Sequence, residues 1–217
     1  MPTRRSFLKR YFWMSLGSFV LRLSIPMKWI QTAWASGRKI LPRGFPKAEL
    51  MGMNPADIDS CNLEIDPIDQ FGTMGPTDIS TDLDTYRLKI TGEVNLPLSL
   101  SYDEILRLPS ITEDVLLICP GFFTNHGRWK GVPLKALLDK AHLKKEANFV
   151  DIKGGREKVA RIRVESIYSR KIFLAYRVNG ETLPQKHGFP LRLVFEDVYG
   201  DEWVKYVDEI VARVHPQ

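Results

Sequence analysis

Residues 115–134 read VLLICPGFFTNHGRWKGVPL, and the reading of this stretch organises the rest of the chain. The apolar run over 115–118 predicts a buried strand. It delivers one thiol, Cys119, into a segment punctuated by Pro120, Gly121, Asn125, Gly127 and Pro133, which predicts a loop. Two readings are open for the thiol. Free cysteine packs as a small hydrophobe and is inert when buried. A thiolate at the lip of a pocket suits a soft metal centre, or a nucleophile if a base lies nearby.

Downstream, Pro133 predicts a helix to about Ala141 with Leu134, Leu137 and Leu138 on one face. Alternating apolar residues predict strands over 148–153 and 190–195, 158–164 reads as a polar-faced strand and 173–178 as a further strand, with a helical turn or two over 165–170. Asn179-Gly180 predicts a tight turn. A last long strand is expected over 202–214, apolar on both faces and therefore interior. Upstream, 85–93 alternates as a half-buried strand. Ser101 with Glu104 three residues later forms a capping box for a short helix that Pro109 ends. Residues 36–80 are rich in Pro, Gly and Asp and predict an extended arm laid on the domain of 81–217, with Asp66, Asp69 and Gln70 on irregular backbone. The fold class is α+β, a mixed, β-rich single domain.

The first 35 residues carry Arg4, Arg5, Lys9, Arg10, Arg22 and Lys28 and no acidic residue, then a short apolar run, then Ala33-Trp34-Ala35. That order describes an export signal. Its opening, TRRSFLK over 3–9, resembles the twin-arginine motif, whose machinery carries proteins already folded, so a cofactor and a periplasmic destination are expected. The leader also accounts for the charge. The chain is +5 with 31 basic and 26 acidic residues; without the leader's six cations, 25 basic face 26 acidic. Excess positive charge would suggest nucleic acid as a partner; here it reports the leader, and no nucleic acid is expected. Two cysteines, Cys61 and Cys119, exclude a disulfide scaffold and leave room for one bridge or a metal-free thiol protein.

One constellation adds to Cys119. His187-Gly188-Phe189-Pro190 is followed by Arg192, and Lys205 comes after the Gly200 turn. Two strands joined by that turn set Arg192 beside Lys205 near His187. Three such donors suit a phosphate or an anionic cofactor tail.

Together with Cys119, these residues resemble the molybdopterin-binding domain of the sulfite oxidase family, above all its twin-arginine-exported branch, the periplasmic methionine sulfoxide reductases. The matching pieces are YRLKITGEVNLPLSLSYDEI, ICPG with RWKGVPLKALL, and LAYRVNGETLPQKHGFPLRLVFEDVYGDEWVKYVDEI. The resemblance implies that Cys119 is the protein's ligand to molybdenum, beside the dithiolene of one pyranopterin. It implies that His187, Arg192, Trp203 and Lys205 hold the pterin and its phosphate, with Asp69 and Gln70 from a contacting loop. It further implies oxygen-atom transfer on a small substrate, by reduction of an S-oxide or N-oxide or by oxidation of sulfite, with electrons exchanged with a separate partner such as a cytochrome or a membrane quinone protein. The segment after the cysteine, PGFFTNHGR, departs from the family, and Arg128 is its candidate for steering substrate at the catalytic thiol. A rival reading keeps the fold and the pterin as a non-catalytic module.

Overall fold

The computed structural model describes residues 37–155 and 158–215. The expected export signal lies outside them. In chain order the elements are β1 (Lys39–Ile40), α1 (Lys47–Leu50), β2 (Ile58–Asp59), β3 (Leu88–Gly92), β4 (Leu98–Leu100), α2 (Tyr102–Leu106), β5 (Ile111–Cys119) and β6 (Phe123–Pro133). There follow α3 (Leu134–Lys140), β7 (Phe149–Gly154), β8 (Lys158–Arg163), α4 (Val164–Ser169), β9 (Ile172–Val178), β10 (Glu181–Thr182), β11 (Arg192–Phe195) and β12 (Val207–Arg213). Short 3-10 turns stand at Ile68–Gln70, Gln185–His187 and Gly200–Glu202.

Two five-stranded sheets carry the core. One is antiparallel, running β5, β6, β9, with β10 and β11 sharing the far edge of β9. The other runs β4, β3, β12, β7, β8, and its β3–β12 pair is parallel. The expected interior strand is therefore central, as apolar residues on both faces require. It is also shorter than its hydrophobic pattern: β12 begins at Val207, and residues 203–206 follow the Gly200 turn as irregular backbone. Tyr206 explains the break. Its φ of +57° is a left-handed conformation that a regular strand excludes.

The segment after Cys119 is a second correction. Instead of a loop through Pro133, it turns within four residues and returns as β6, pairing Cys119 with Phe123, Leu117 with Asn125 and Asp114 with Arg128. The turn residues Pro120 and Gly121 stop the strand, while Asn125 and Gly127 sit inside the ladder.

This hairpin explains why β5 is apolar on both faces. Val115 and Leu117 join the main core with Trp129, Phe173 and the α3 leucines. Leu116 and Ile118 face the other way, onto Leu41, Leu50 and Ile58 of the arm. Burying each such side chain is worth about 1.5–3 kcal/mol, so the arm is seated by a small core of its own. Asp66 adds to this, accepting from the His126 N–H at 2.9 Å while its own N–H donates to the His126 carbonyl at 2.8 Å. The capping box at α2 forms as expected, with Glu104 N–H donating to Ser101 Oγ and Ser101 N–H to the Glu104 carboxylate.

Candidate cofactor cradle and thiol cavity

Cys119 ends β5, half-buried, as a free thiol. It opens onto a cavity of about 480 Å3. The arm supplies Met74, Gly75 and Pro76 to its walls; the β5–β6 turn supplies Pro120 and Phe122. Gly155 and Lys158 come from the β7–β8 hairpin, and Tyr199, Gly200, Asp201, Trp203, Lys205 and Tyr206 from the segment before β12. Burial raises the Cys119 thiol above its ordinary pKa; the Asp201 carboxylate raises it further, and the Arg192 cation opposes them. Gly200 gives the thiol its space. A Cβ there would stand 2.5 Å from Cys119 Sγ, closer than any real side chain tolerates.

Beneath the cavity lies a cationic cradle built from two antiparallel runs. Leu193 N–H donates to the Val204 carbonyl, Val207 N–H to Leu191, and Tyr206 N–H to Gly188. Residues 188–193 and 203–207 therefore lie side by side, as the Gly200 turn predicts. Gly188, at φ +111°, leaves no room for a Cβ against Lys205, and Gly154 leaves none against the Lys205 and Tyr206 carbonyls. The Lys205–Tyr206 backbone is thus clamped between two glycines.

Arg192 is buried, its guanidinium 5.4 Å from the Trp203 ring and 5.7 Å from the Trp129 ring. It donates through Nη1 to the His187 carbonyl at 3.0 Å, while its Nε has no partner among the described residues. Desolvation lowers it to about 10. His187 is wholly buried, its ring edge-on to Phe71, and neither ring nitrogen has a partner among the described residues. Burial first, then Arg192, Lys186 and Lys205, lower it to about 4. Burial first, then Arg192, lower Lys205 to about 8. Buried polar atoms ordinarily find partners, and each orphan needs an explanation. Unpaired donors and an uncompensated guanidinium in one place are explained by an anionic group that belongs there. Molybdopterin fits these residues: its phosphate suits the cradle, and its metal suits a lone soft thiolate kept clear by Gly200.

The expected site residues fall into three groups. Cys119, Trp203 and Lys205 line the cavity, while buried Arg192 stacks on the Trp203 ring and is joined to the buried His187 through its carbonyl. Trp203 Nε1 already donates to the Phe195 carbonyl at 3.0 Å, so its indole contributes a ring face. Asp69 and Gln70 are exposed and do not line this cavity; Gln70 lines a separate one with Lys47, Asp66 and His126. The arm reaches the site a few residues later. Asn125 explains that offset, taking the Gly72 N–H at 2.9 Å and donating to its carbonyl at 2.8 Å, which carries Met74–Pro76 to the cavity. Lys205 Nζ and Tyr206 Oη then both donate to the Pro76 carbonyl. The FGTMGP run carried no charged residue, so no charge pattern marked it.

Arg128 lies apart from this cavity. It forms a two-pronged ion pair with Asp114 at 2.7 and 2.9 Å and lines another cavity, of about 430 Å3, with Cys61, Lys171 and Asp197. Its partner Asp114 lies five residues before Cys119 on β5, about 16 Å along a strand. Arg128 does not reach the thiol. Cys61 and Cys119 line different cavities and are both free.

Comparison with known proteins agrees with this geometry. Residues 74–217 match the family described as the oxidoreductase molybdopterin binding domain. The chain is 30% identical over 169 residues to the protein-methionine-sulfoxide reductase catalytic subunit of Gluconobacter oxydans, covering 67% of this chain and 54% of that protein. It is 30% identical over 166 residues to the NADH nitrate reductase of Volvox carteri, covering 61% of this chain but 19% of that protein. The sulfane dehydrogenase SoxCD of Paracoccus pantotrophus shares the fold, with a TM-score of 0.61 at 21% identity, over 85% of this chain and 52% of that one. The chain thus spans about half or less of these three relatives. Where the family match begins, at Met74, is where the arm enters the thiol cavity, and the chain belongs to the molybdopterin-binding oxidoreductases of the sulfite oxidase and methionine sulfoxide reductase family.

Proposed function

We propose that the chain is an exported oxygen-atom-transfer enzyme that reduces a small S-oxide or N-oxide, with electrons drawn from a separate redox protein. The observation that carries this reading is the half-buried Cys119 thiol on one cavity with buried Arg192 and His187, whose Arg192 Nε and two His187 ring nitrogens have no partner among the described residues. The relatives named as sulfoxide and nitrate reductases support a reaction in which oxygen leaves the substrate. The leader of residues 1–35 supports export, and a periplasmic site of action.

Cys119 would be the protein's ligand to molybdenum. Arg192, Lys205 and His187 would hold the pterin and its phosphate, and the ring of Trp203 would pack against it. When bound, the cofactor supplies two-electron oxygen-atom-transfer chemistry; the protein orients it and controls access. Neutral at pH 7 with its value near 4, His187 can donate one N–H to an oxygen and accept at the other nitrogen. Arg192 remains a cation and offers its unpaired Nε–H. Met74, Pro76, Pro120, Phe122 and Tyr199 give the thiol cavity apolar walls, and the missing side chain of Gly200 keeps the sulfur free of a clash.

The test is molybdenum per chain, by elemental analysis, on protein from a host that makes the cofactor. About one molybdenum per chain is expected for the wild type, with loss of both metal and S-oxide reduction in Cys119→Ser. Full turnover in Cys119→Ser would overturn the reading. Molybdenum bound without any redox signal would instead favour the non-catalytic pterin-binding module, a reading that the displaced Arg128 keeps in view.

A further inference from the structure

Lys205 has no donor to spare. Its ammonium donates to Thr73 Oγ1 at 3.2 Å, to the Lys186 carbonyl at 3.1 Å and to the Pro76 carbonyl. An ammonium has three N–H groups, and these contacts use all of them. Arg192 and His187 still have unpartnered nitrogens among the described residues, but Lys205 takes a phosphate oxygen only by giving up a partner that it holds. The network lets it leave cheaply. The Pro76 carbonyl also accepts from Tyr206 Oη at 3.2 Å, and the Lys186 carbonyl from Thr73 Oγ1 at 3.2 Å. Each carbonyl keeps one donor when Lys205 departs, so neither is orphaned, and an orphaned group is what makes a broken hydrogen bond costly.

Two of the three partners, Thr73 and Pro76, belong to the arm. They bracket a strap, residues 72–76, whose first residue Asn125 holds by two hydrogen bonds to Gly72. Beyond that anchor the strap is lightly seated. None of residues 72–80 is buried, and none belongs to an apolar cluster among the described residues. Met74 is 49% exposed, and Gly75, at φ +74°, has nothing within 4 Å of where a Cβ would stand. Polar contacts to Lys205, Tyr206 and Lys186 hold what the small core around Leu41, Leu50 and Ile58 holds farther upstream. The same strap, through Met74, Gly75 and Pro76, walls the Cys119 cavity.

We propose that Lys205 is an exchangeable latch: in the cofactor-free chain it ties the strap down, and when an anionic cofactor tail enters the cradle its ammonium passes from Thr73 and Pro76 to the phosphate, loosening the arm wall of the Cys119 cavity. The inference rests on the reading of this cradle as the seat of a cofactor phosphate. Filling the cradle and loosening the wall are then coupled, and such coupling is reciprocal. Whatever frees Lys205 from the arm strengthens anion binding, and whatever commits it to the arm weakens that binding.

The experiment measures the Kd of inorganic pyrophosphate by calorimetry on the full chain made in a host lacking the pterin, with circular dichroism checking the fold of each variant. Thr73→Val removes one acceptor and leaves Lys205 a free donor, so Kd should fall about fivefold, the net worth of one hydrogen bond. Tyr206→Phe removes the second donor to the Pro76 carbonyl, so Lys205 leaves only by orphaning it, and Kd should rise about fivefold. In a Lys205→Met background neither change should move Kd by more than about twofold. On the wild type alone, saturating pyrophosphate should speed native-state cleavage by chymotrypsin after Met74 about fivefold, since the coupling acts equally in both directions. Shifts of the same sign in Thr73→Val and Tyr206→Phe, shifts that survive Lys205→Met, or cleavage unchanged or slowed by pyrophosphate overturn the latch while leaving the cradle as the seat of the anion. No binding to the wild type, or binding unweakened in Arg192→Met, overturns the cradle reading and the latch together.

Discussion

Gly200 stands so close to Cys119 that a methyl group on it would lie 2.5 Å from the thiol sulfur, with the Leu117 side chain a further 0.9 Å out at 3.4 Å. The Gly200 turn can therefore pack this closely against the thiol only by virtue of one missing side chain. Gly200→Ala should fill that space. The rate of Cys119 alkylation by iodoacetamide in a Cys61→Ser background should fall at least about tenfold, because a contact below 3 Å must be relieved by moving backbone or sulfur. Molybdenum content should fall with it, while far-ultraviolet circular dichroism stays unchanged. Wild-type alkylation in Gly200→Ala would show that the thiol is reached from another side.

The cradle makes the cofactor-free chain sensitive to acid. His187 has its value lowered from 6.5 to about 4, chiefly by burial and then by the neighbouring cations. A base lowered in the folded state is protonated first in the unfolded chain. Between pH 6.5 and about 4 the unfolded state binds more protons, and stability falls as pH falls through that window. The melting temperature of cofactor-free protein should drop over this range, and His187→Asn should flatten the drop. Equal slopes in the two proteins would remove His187 as the cause.

Anions should stabilise the same cofactor-free chain. Arg192 is buried without a carboxylate, and Lys205 is lowered to about 8 by burial and by Arg192. Pyrophosphate should raise the melting temperature more than chloride at equal ionic strength, by binding the folded state alone. The gain should weaken as pH rises through about 8, where Lys205 loses its charge. Arg192→Met should abolish it. Stabilisation that persists in Arg192→Met would place the anion elsewhere.

Asn125 holds the arm over the cavity by two hydrogen bonds to Gly72. Asn125→Ala leaves that N–H and carbonyl in a partly buried place without partners, which costs about 1–3 kcal/mol per orphaned group. Denaturant unfolding should show a loss of about 2–6 kcal/mol for the two groups together, and proteolysis should cleave first in the arm. Unchanged stability would mean that the small core of Leu41, Leu50, Ile58, Leu116 and Ile118 seats the arm by itself.

Arg128→Ala is the complementary control. Its pair with Asp114 is solvent-facing, and such pairs are worth about 0–1 kcal/mol. Turnover should remain within about twofold of wild type, and stability should change by less than about 1 kcal/mol. A large loss of kcat would return Arg128 to the active site.

How much was legible in the sequence follows from the kind of signal each residue leaves. Alternation in 148–153 and 158–164 marked β7 and β8, because side-chain period reports a strand directly, whereas β9 is buried on both faces and was marked by its apolar run. Ser101 and Glu104 marked α2, because a cap is a local contact. Cys119, His187, Arg192 and Lys205 were legible as a set, since rare chemical types at fixed spacing point to one another. The hairpin after Cys119 was not: Gly127 and Pro133 read as loop punctuation, although a glycine in a strand also marks a close approach, and here Gly127 packs against the Phe71 and Trp129 rings. The break at Tyr206 was equally hidden, because no residue type advertises a left-handed tyrosine.

By itself, the sequence determined that this chain carries one soft thiol at a strand end, a set of cations suited to an anionic cofactor, and a β-rich α+β domain to hold them. Those properties reside in residue types and short spacings. Only the tertiary structure decided which of them meet. It brought Met74–Pro76 rather than Asp69 and Gln70 to the thiol, and tied Arg128 to Asp114. The reason is physical. The arm's position is set by long-range contacts, two from Asn125 to Gly72 and a small apolar core across β5, and contacts between residues some fifty or more positions apart leave no periodic trace in the chain.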